Sequence, residues 1–243
     1  PLDPALTITH KQLSLADRWM LARLASGIER ANEALASYHF NAYAETCYEL
    51  LWNDFCDWYL EAIKPTAAQD PAHRAVLRAV LDTLIRLLHP IMPFVTEALH
   101  ERIRTIRGPL IEGLTLGASN LLLARTPWPI AEQVLLDGSA EAEFSRMQEL
   151  VRAIREVRAQ HNVKPKRKIK LHIPAGVTLL AKDSIPLAIT LAELAALSAD
   201  PAPTSAVPFT FGNVELKLSD LTDEATIDVG AELARLEKLI SDK

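Results

Sequence analysis

Cysteine is almost missing from this 243-residue sequence and glycine is sparse, with two Cys and eight Gly. Cys47 and Cys56 fall in one helical pattern, separated by about 13.5 Å of helix rise. That is too far for a disulfide and the wrong spacing for a zinc site, so a reducing compartment is expected. No apolar run approaches the roughly 18 residues of a spanning helix. The opening PLDPALTITHKQ lacks the basic and apolar regions of a secretory signal, and a soluble, cytoplasmic protein is expected. The first residue is Pro1 rather than Met, and the expectation is a piece of a longer chain. With 49% apolar and 23% charged residues the composition is globular, and the length suits one large or two small domains.

Catalytic signatures are missing as well. The sequence has no G-x-x-x-x-G-K-[ST], no G-x-S-x-G and no G-x-G-x-x-G. His89 and His100 flank a PIMPF break, and no carboxylate stands at ligand spacing from both, so no metal is expected and His89 is assigned to a helix C-terminus. The stretch NDFCDWYLEAIKP gathers acids, aromatics and Cys56. On a helical wheel of about 100° per residue, Cys47, Tyr48, Leu51, Trp52, Phe55, Trp58, Tyr59, Ala62 and Ile63 share the core side. Glu49, Asn53, Asp54, Asp57 and Glu61 take the solvent side, and Asp57 points away from Cys56. This is a core wall with an acidic outer face. Catalytic residues are expected to be none, and Cys56→Ser is expected to change packing only modestly.

Positive charge is scarce overall, at −5 net, yet locally dense. Residues 146 to 170 hold nine Lys/Arg against Glu149 and Glu156, and the remaining 17 basic and 29 acidic residues put the rest at −12. A basic strip on an acidic body is a candidate anion surface.

Along the chain, Ser14 caps a helix to about residue 37 with Asp17 closing the box. Asn41 is read as the cap of a second helix over about 42 to 64, ended by Pro65. Asp70 and Pro71 open a third, and FVTEALHERIRTIRG makes a fourth, closed by Gly108. Residues 108 to 138 read as a connector with a short strand at 121 to 123, and Ser139 caps a fifth helix. Its Arg152, Arg155 and Arg158 fall within about 120° of one another, beside the apolar stripe. Near residue 163 the period changes to two: KIKLHI reads as a strand, PLAITLAELAALS as a helix, and VPFTFGNVELKLS as a hairpin about Gly212-Asn213. Val229, Leu233, Leu236 and Ile240 start a heptad seam. The fold is mainly α: an antiparallel helical bundle over 1–162, a small α/β unit over 163–226, and the start of a coiled coil over 227–243.

The run ADRWMLARLASGIERANEALASYHFNAYAETCYELLWNDFCDWYLEAIKP, then LLHPIMPFVTEALHERI, resembles the anticodon-binding bundle of the valyl-tRNA synthetase family, among the class I synthetases. TPWP, LVRAIREVRAQHNVKPKRKI and IDVGAELARLEKLI are similar to the family's C-terminal α/β segment and coiled coil. HP-x-x-PF-x-TE is shared with isoleucyl and leucyl enzymes, whereas FCDWYLE discriminates. The resemblance implies a part that holds valine tRNA, with ATP, aminoacylation and editing belonging to catalytic and editing domains elsewhere in a parent chain. The ATP signatures of the HIGH and KMSKS types are not in these residues, so no cofactor is expected here.

Single-stranded bases need donors and stacking planes, and arginine offers both. The candidate RNA contacts are therefore Arg152, Arg155, Arg158, Lys164, Lys166, Arg167 and Lys168, with Arg23, Arg30 and Phe40 secondary. Among the aromatics, Trp19, Trp52 and Trp58 are assigned to core faces, leaving Phe40 in the polar turn YHFN as the stacking candidate. The alternatives are the equivalent isoleucyl domain and a helical protein-interaction scaffold.

Overall fold

The computed structural model describes residues 6 to 106, 108 to 114 and 122 to 221. They fall into two units, one of residues 1–147 with 180–187 and one of residues 148–179 with 188–243.

The first unit is mainly helical. In α1 (Leu15–Ala36) Ser14 Oγ accepts from the Asp17 N–H at 3.2 Å, and the Asp17 carboxylate accepts from the Ser14 N–H at 3.0 Å, a reciprocal capping box. The helix closes at Tyr38, which is left-handed at φ 58°. The Tyr38 N–H donates to the Leu35 carbonyl at 3.1 Å and the His39 N–H to that of Ala34 at 2.8 Å, a Schellman close with tyrosine where glycine is usual.

α2 (Phe40–Tyr48), a π-helical stretch (Glu49–Leu60) and α3 (Glu61–Ile63) follow without a break, because every junction residue keeps right-handed helical angles. His39 occupies the cap position, and Asn41 lies inside the first turn rather than capping it. The expected faces largely hold: Cys47, Phe55, Trp58, Tyr59, Ala62 and Ile63 are buried, Asn53, Asp57 and Glu61 are exposed, and the buried positions keep a three-to-four-residue spacing through the π stretch. Three residues depart from it: Tyr48 and Trp52, expected inside, are 59% and 51% exposed, whereas Asp54, expected in solvent, is 7% exposed and turned to Arg23.

α4 (Pro71–Leu88) is capped by Asp70, which accepts from the Ala72 N–H at 2.8 Å, with Pro71 in its first turn. α5 (Pro93–Ile103) ends before Gly108. Side-chain bonds fix the directions. Tyr43 Oη in α2 donates to the Leu87 carbonyl at the end of α4. Tyr59 Oη, late in the π stretch, donates to Asp17 Oδ1 at 2.6 Å, and His73 Nδ1 at the start of α4 lies 3.0 Å from the same oxygen. Thus α1 and α4 run one way and the helix between them runs back.

β1 (Thr7–Ile8) and β2 (Leu110–Ile111) pair in parallel, an element the sequence pattern does not announce. The expected strand at 121–123 is instead a 3-10 turn at Leu123–Arg125, residue 121 lying outside the described residues. The segment after it is strapped to the helices. Trp128 Nε1 donates to Asn32 at 2.6 Å, Gln133 to Glu29 at 3.0 Å, and Arg86 to the Pro127 carbonyl at 3.2 Å. α6 (Gly138–Gln160) is capped by Asp137, not Ser139: its carboxylate accepts from the Ala140 N–H at 2.9 Å and from Arg18 at 2.8 Å. Burial alone would raise the Asp137 pKa, but these donors and Ser139 pull it down to about 2. Residues of α6 up to Met147 belong to the first unit, where Phe144 stacks on Trp19 with ring centres 3.9 Å apart.

The second unit carries a four-stranded mixed sheet of β3 (Ile169–His172), β4 (Leu194–Ser198), β5 (Val207–Phe211) and β6 (Val214–Ser219), in the order β4-β3-β6-β5. β3 is parallel to β4, and the other pairs are antiparallel. The helix expected over 186–198 is shorter: α7 (Ser184–Leu191) stops, Glu193 turns left-handed at φ 55°, and LAALS becomes β4. Local helix propensity of Ala and Leu loses here to pairing along β3. Gly212, at φ 57°, is the first central residue of the hairpin turn between Phe211 and Val214, the position where a type II′ turn takes glycine. The heptad seam Val229, Leu233, Leu236 and Ile240, and with it the expected coiled coil, lies outside the described residues.

Candidate nucleic-acid interface

In the second unit, α6 closes on a Schellman motif. The Val163 N–H donates to the Arg158 carbonyl at 2.9 Å and the Asn162 N–H to that of Ala159 at 3.1 Å, with Asn162 left-handed at φ 50°. The chain then makes a second turn at Lys164–Pro165–Lys166–Arg167. The Arg167 N–H donates to the Lys164 carbonyl at 3.2 Å, Pro165 is the first central residue, and Lys166 is the second at φ 65°. These are the marks of a type II turn.

The arginines hold this loop. Arg158 Nη1 donates to the Arg167 carbonyl at 2.9 Å and Nη2 to the Lys164 carbonyl at 3.3 Å. Arg167 Nε donates to the Asp220 carbonyl at 2.5 Å, and Arg155 Nη2 to that of Leu191 at 3.0 Å. Burial draws the Arg158 pKa down, opposed by the nearby charge of Glu193. Lys168 pairs with Glu193 at 2.7 Å and Lys170 with Asp220 at 3.3 Å. Arg158, Lys164 and Arg167 are thus brought into one assembly, while Arg152, Lys164, Lys166 and Lys168 present exposed side chains.

In the first unit, Arg23 Nε donates to Asp54 at 2.9 Å and Nη1 lies 3.8 Å from Glu141. Burial keeps the Asp54 pKa above the ordinary carboxylate value despite Arg23. Arg30 meets Glu49 at 2.9 Å in an exposed pair. Phe40 is 62% exposed, edge-on to Tyr38, which is 80% exposed, with ring centres 6.4 Å apart. The Tyr43–Leu87 bond places the α1–α2 turn at the same end of the bundle as the α4–α5 turn, where Ile91, Met92 and the 90%-exposed Phe94 lie. That end presents aromatic and apolar side chains to solvent. Tyr38, Phe94 and the exposed Tyr48–Trp52 pair escape the sequence reading. A bulky residue at a helix-closing position is the one local signal for Tyr38; the others depend on tertiary placement.

Burial raises the Cys47 thiol pKa, and burial with the charge of Asp57 raises that of Cys56, so neither is a poised thiolate. His89 Nδ1 bonds Thr96 Oγ1 at 2.8 Å. Among the described residues no three His, Cys, Asp or Glu side chains gather as metal ligands, and no helix is long and apolar enough to cross a membrane.

Comparison with known proteins matches residues 17–173 to the family described as the anticodon-binding domain of tRNA ligase. A valine–tRNA ligase of Thermotoga maritima is 37% identical over 174 residues, covering 71% of this chain and 19% of that protein. The valine–tRNA ligase of Mycobacterium leprae is 34% identical over 238 residues, 97% of this chain and 25% of the relative. That of Mycolicibacterium paratuberculosis is 35% identical over 231 residues, 93% of this chain and 24% of the relative. The chain spans a quarter or less of the length of these relatives.

Proposed function

Since the chain belongs to the anticodon-binding domain family of tRNA ligases, we propose that it is the tRNA-holding part of a cytoplasmic valine–tRNA ligase. The match across residues 17–173, which takes in the bundle and the basic strip together, supports the tRNA-holding part of this reading, and the valine–tRNA ligase relatives support valine. The chain contributes affinity and register, and positions the acceptor end of valine tRNA for a catalytic domain elsewhere in the parent protein. ATP, aminoacylation and editing belong to that remainder, and this part needs no cofactor of its own.

Two kinds of contact divide the work. The exposed rings at the end of the bundle, Phe40 with Tyr38 and Phe94, offer faces on which unpaired anticodon bases stack. Of the basic strip, Arg152, Arg155, Lys164, Lys166 and Lys168 supply phosphate contacts, while Arg158 and Arg167 hold the loop that carries them. Arg30 is available as well, since an exposed pair with Glu49 is worth little and exchanges readily for a phosphate. Arg23 is the weaker secondary candidate, because leaving Asp54 would strand a buried carboxylate.

The test is binding of the chain to valine tRNA transcripts with native and altered anticodons at two salt concentrations. Anticodon-dependent binding is expected, with five phosphate contacts giving a log–log salt slope of roughly −3.5 to −4.5. Equal, undetectable binding of every transcript would sink the proposal.

A further inference from the structure

Not every cation in the basic strip faces outward, and the geometry of the loop after α6 separates two roles. Arg158 spends its guanidinium on two backbone carbonyls, those of Arg167 at 2.9 Å and Lys164 at 3.3 Å, the two ends of the Lys164–Arg167 turn. Its own carbonyl accepts the Val163 N–H at 2.9 Å, so this one residue ties the helix end to the turn from both its main chain and its side chain. Arg167 extends the tie to the carbonyl of Asp220 at 2.5 Å. Between these ties sits Lys166, exposed and left-handed at φ 65°. A type II turn asks for glycine or asparagine there, and a lysine with its β-carbon is disfavoured. A residue held in such a conformation by its surroundings is a mark of function when its side chain is presented rather than packed.

We propose that Arg158 is a positioning residue that clamps a strained turn, and that Lys166, projected from that turn beside Lys164, makes the phosphate contact for which the strain is retained. This rests on the reading of the chain as a tRNA-binding part. The recognised chemistry is the RNA sugar–phosphate backbone, since phosphates offer a compact ammonium its most abundant and most strongly charged acceptors. Lysine suits the contact as a compact point charge, while arginine suits the clamp because its planar fork reaches two acceptors at once.

The experiment uses a valine tRNA transcript and four variants of the chain: Lys166→Gly, Lys166→Arg, Arg158→Lys and the double change Lys166→Gly with Arg158→Lys. Lys166→Gly relaxes the turn and removes the charge. It is expected to leave the thermal midpoint equal to or above that of the unchanged chain. It should also lower affinity roughly three- to tenfold, alike for every anticodon, and flatten the salt slope by about 0.7–0.9. Lys166→Arg should restore most of that slope. Arg158→Lys keeps the charge but grasps one carbonyl at most, so it should lose affinity to a similar extent, and the double change should add little to either single one. If Arg158→Lys binds as the unchanged chain does, or if the two losses add in full, Arg158 is not a clamp for Lys166. If Lys166→Gly binds normally, the contact is elsewhere. In both cases the unchanged chain still binds tRNA, so these failures stand apart from failure of the tRNA reading, in which the unchanged chain itself does not bind.

Discussion

Replacing His73 with Gln should destabilise the bundle at pH 6 and matter much less at pH 9. The reason is the fully buried carboxylate of Asp17, which accepts from Tyr59 Oη at 2.6 Å, Ser14 Oγ at 2.7 Å and the Ser14 N–H at 3.0 Å, with His73 Nδ1 3.0 Å from both of its oxygens. Burial alone would raise the Asp17 pKa, but these donors outweigh it and hold the carboxyl below its usual value. Burial alone would lower the His73 pKa, but Asp17 outweighs it, helped by Asp70, whose Oδ2 is 3.7 Å from Nε2. The folded pKa of His73 is therefore raised. Its stabilisation is complete below the unfolded value of about 6.5 and is lost as pH climbs through the folded value. Asp17 has the opposite sign: its contribution is present above the unfolded value of about 3.9 and fades as pH falls through the lower folded one.

A hydrogen bond to a charged group contributes about 1.5–3 kcal/mol, and the neutral ring still turns Nδ1–H toward Asp17. The expected cost of His73→Gln is thus about 2–3 kcal/mol at pH 6, shrinking to about 1 kcal/mol at pH 9. All four tryptophans, Trp19, Trp52, Trp58 and Trp128, lie in the first unit, so urea unfolding followed by tryptophan fluorescence reads the bundle alone. Wild-type and variant stabilities that stay parallel from pH 6 to pH 9 would refute the charged pair. Asp17→Asn is the harsher control, at about 3–5 kcal/mol, since it leaves the other half of a buried pair uncompensated.

Two further substitutions probe the same unit. A Cβ at Gly27 would stand 2.4 Å from Leu50 Cδ1, and Leu50 is fully buried. Gly27→Ala gains about 1 kcal/mol of helix propensity but overpacks at a cost of about 1–3 kcal/mol. A net loss near 1 kcal/mol is expected in urea titrations, with Leu50→Ala less damaging in that background than alone; a stabilised Gly27→Ala would overturn the packing argument. Tyr38→Gly places glycine where the Schellman close favours it and should raise stability by about 1 kcal/mol. It also removes a stacking plane and should weaken valine tRNA binding roughly fivefold or more. A fall in stability, or unchanged binding, would remove Tyr38 from the proposed surface.

What sequence made legible was whatever is decided within a turn or two. The Ser14–Asp17 box, the Asp70-Pro71 start of α4 and the Gly212-Asn213 hairpin are set by side chains bonding neighbours or by a local φ, and each stands where its pattern places it. β3 is a strand as its pattern reads, but the alternation fails at His172, expected outward and buried against Ser219. What sequence hid depends on distant partners. LAALS is helix-forming by composition but lies alongside β3, and Asp54 is polar but turns inward to Arg23 across the helix pair. The basic strip was countable as charge. Its division into clamps and exposed cations was not, because Arg158 and Arg167 are occupied by carbonyls that only the folded loop assembles.

The scarcity of glycine has a structural consequence. Among the described residues only Gly113, Gly176 and Gly212 take a positive φ, while Tyr38, Asn162, Lys166, Glu193 and Asp220 do so with side chains. Three of these five have local reasons. Asn and Asp tolerate the left-handed region, and Glu193 takes the turn that ends α7 and starts β4. Tyr38 and Lys166 have neither the right side chain nor a buried contact in compensation, and both are exposed. Each stands where glycine would be the easier choice for folding, one presenting a ring at the bundle end and the other an ammonium on the basic loop. Stability alone does not account for either residue; the proposed stacking on a base and pairing with a phosphate would account for both.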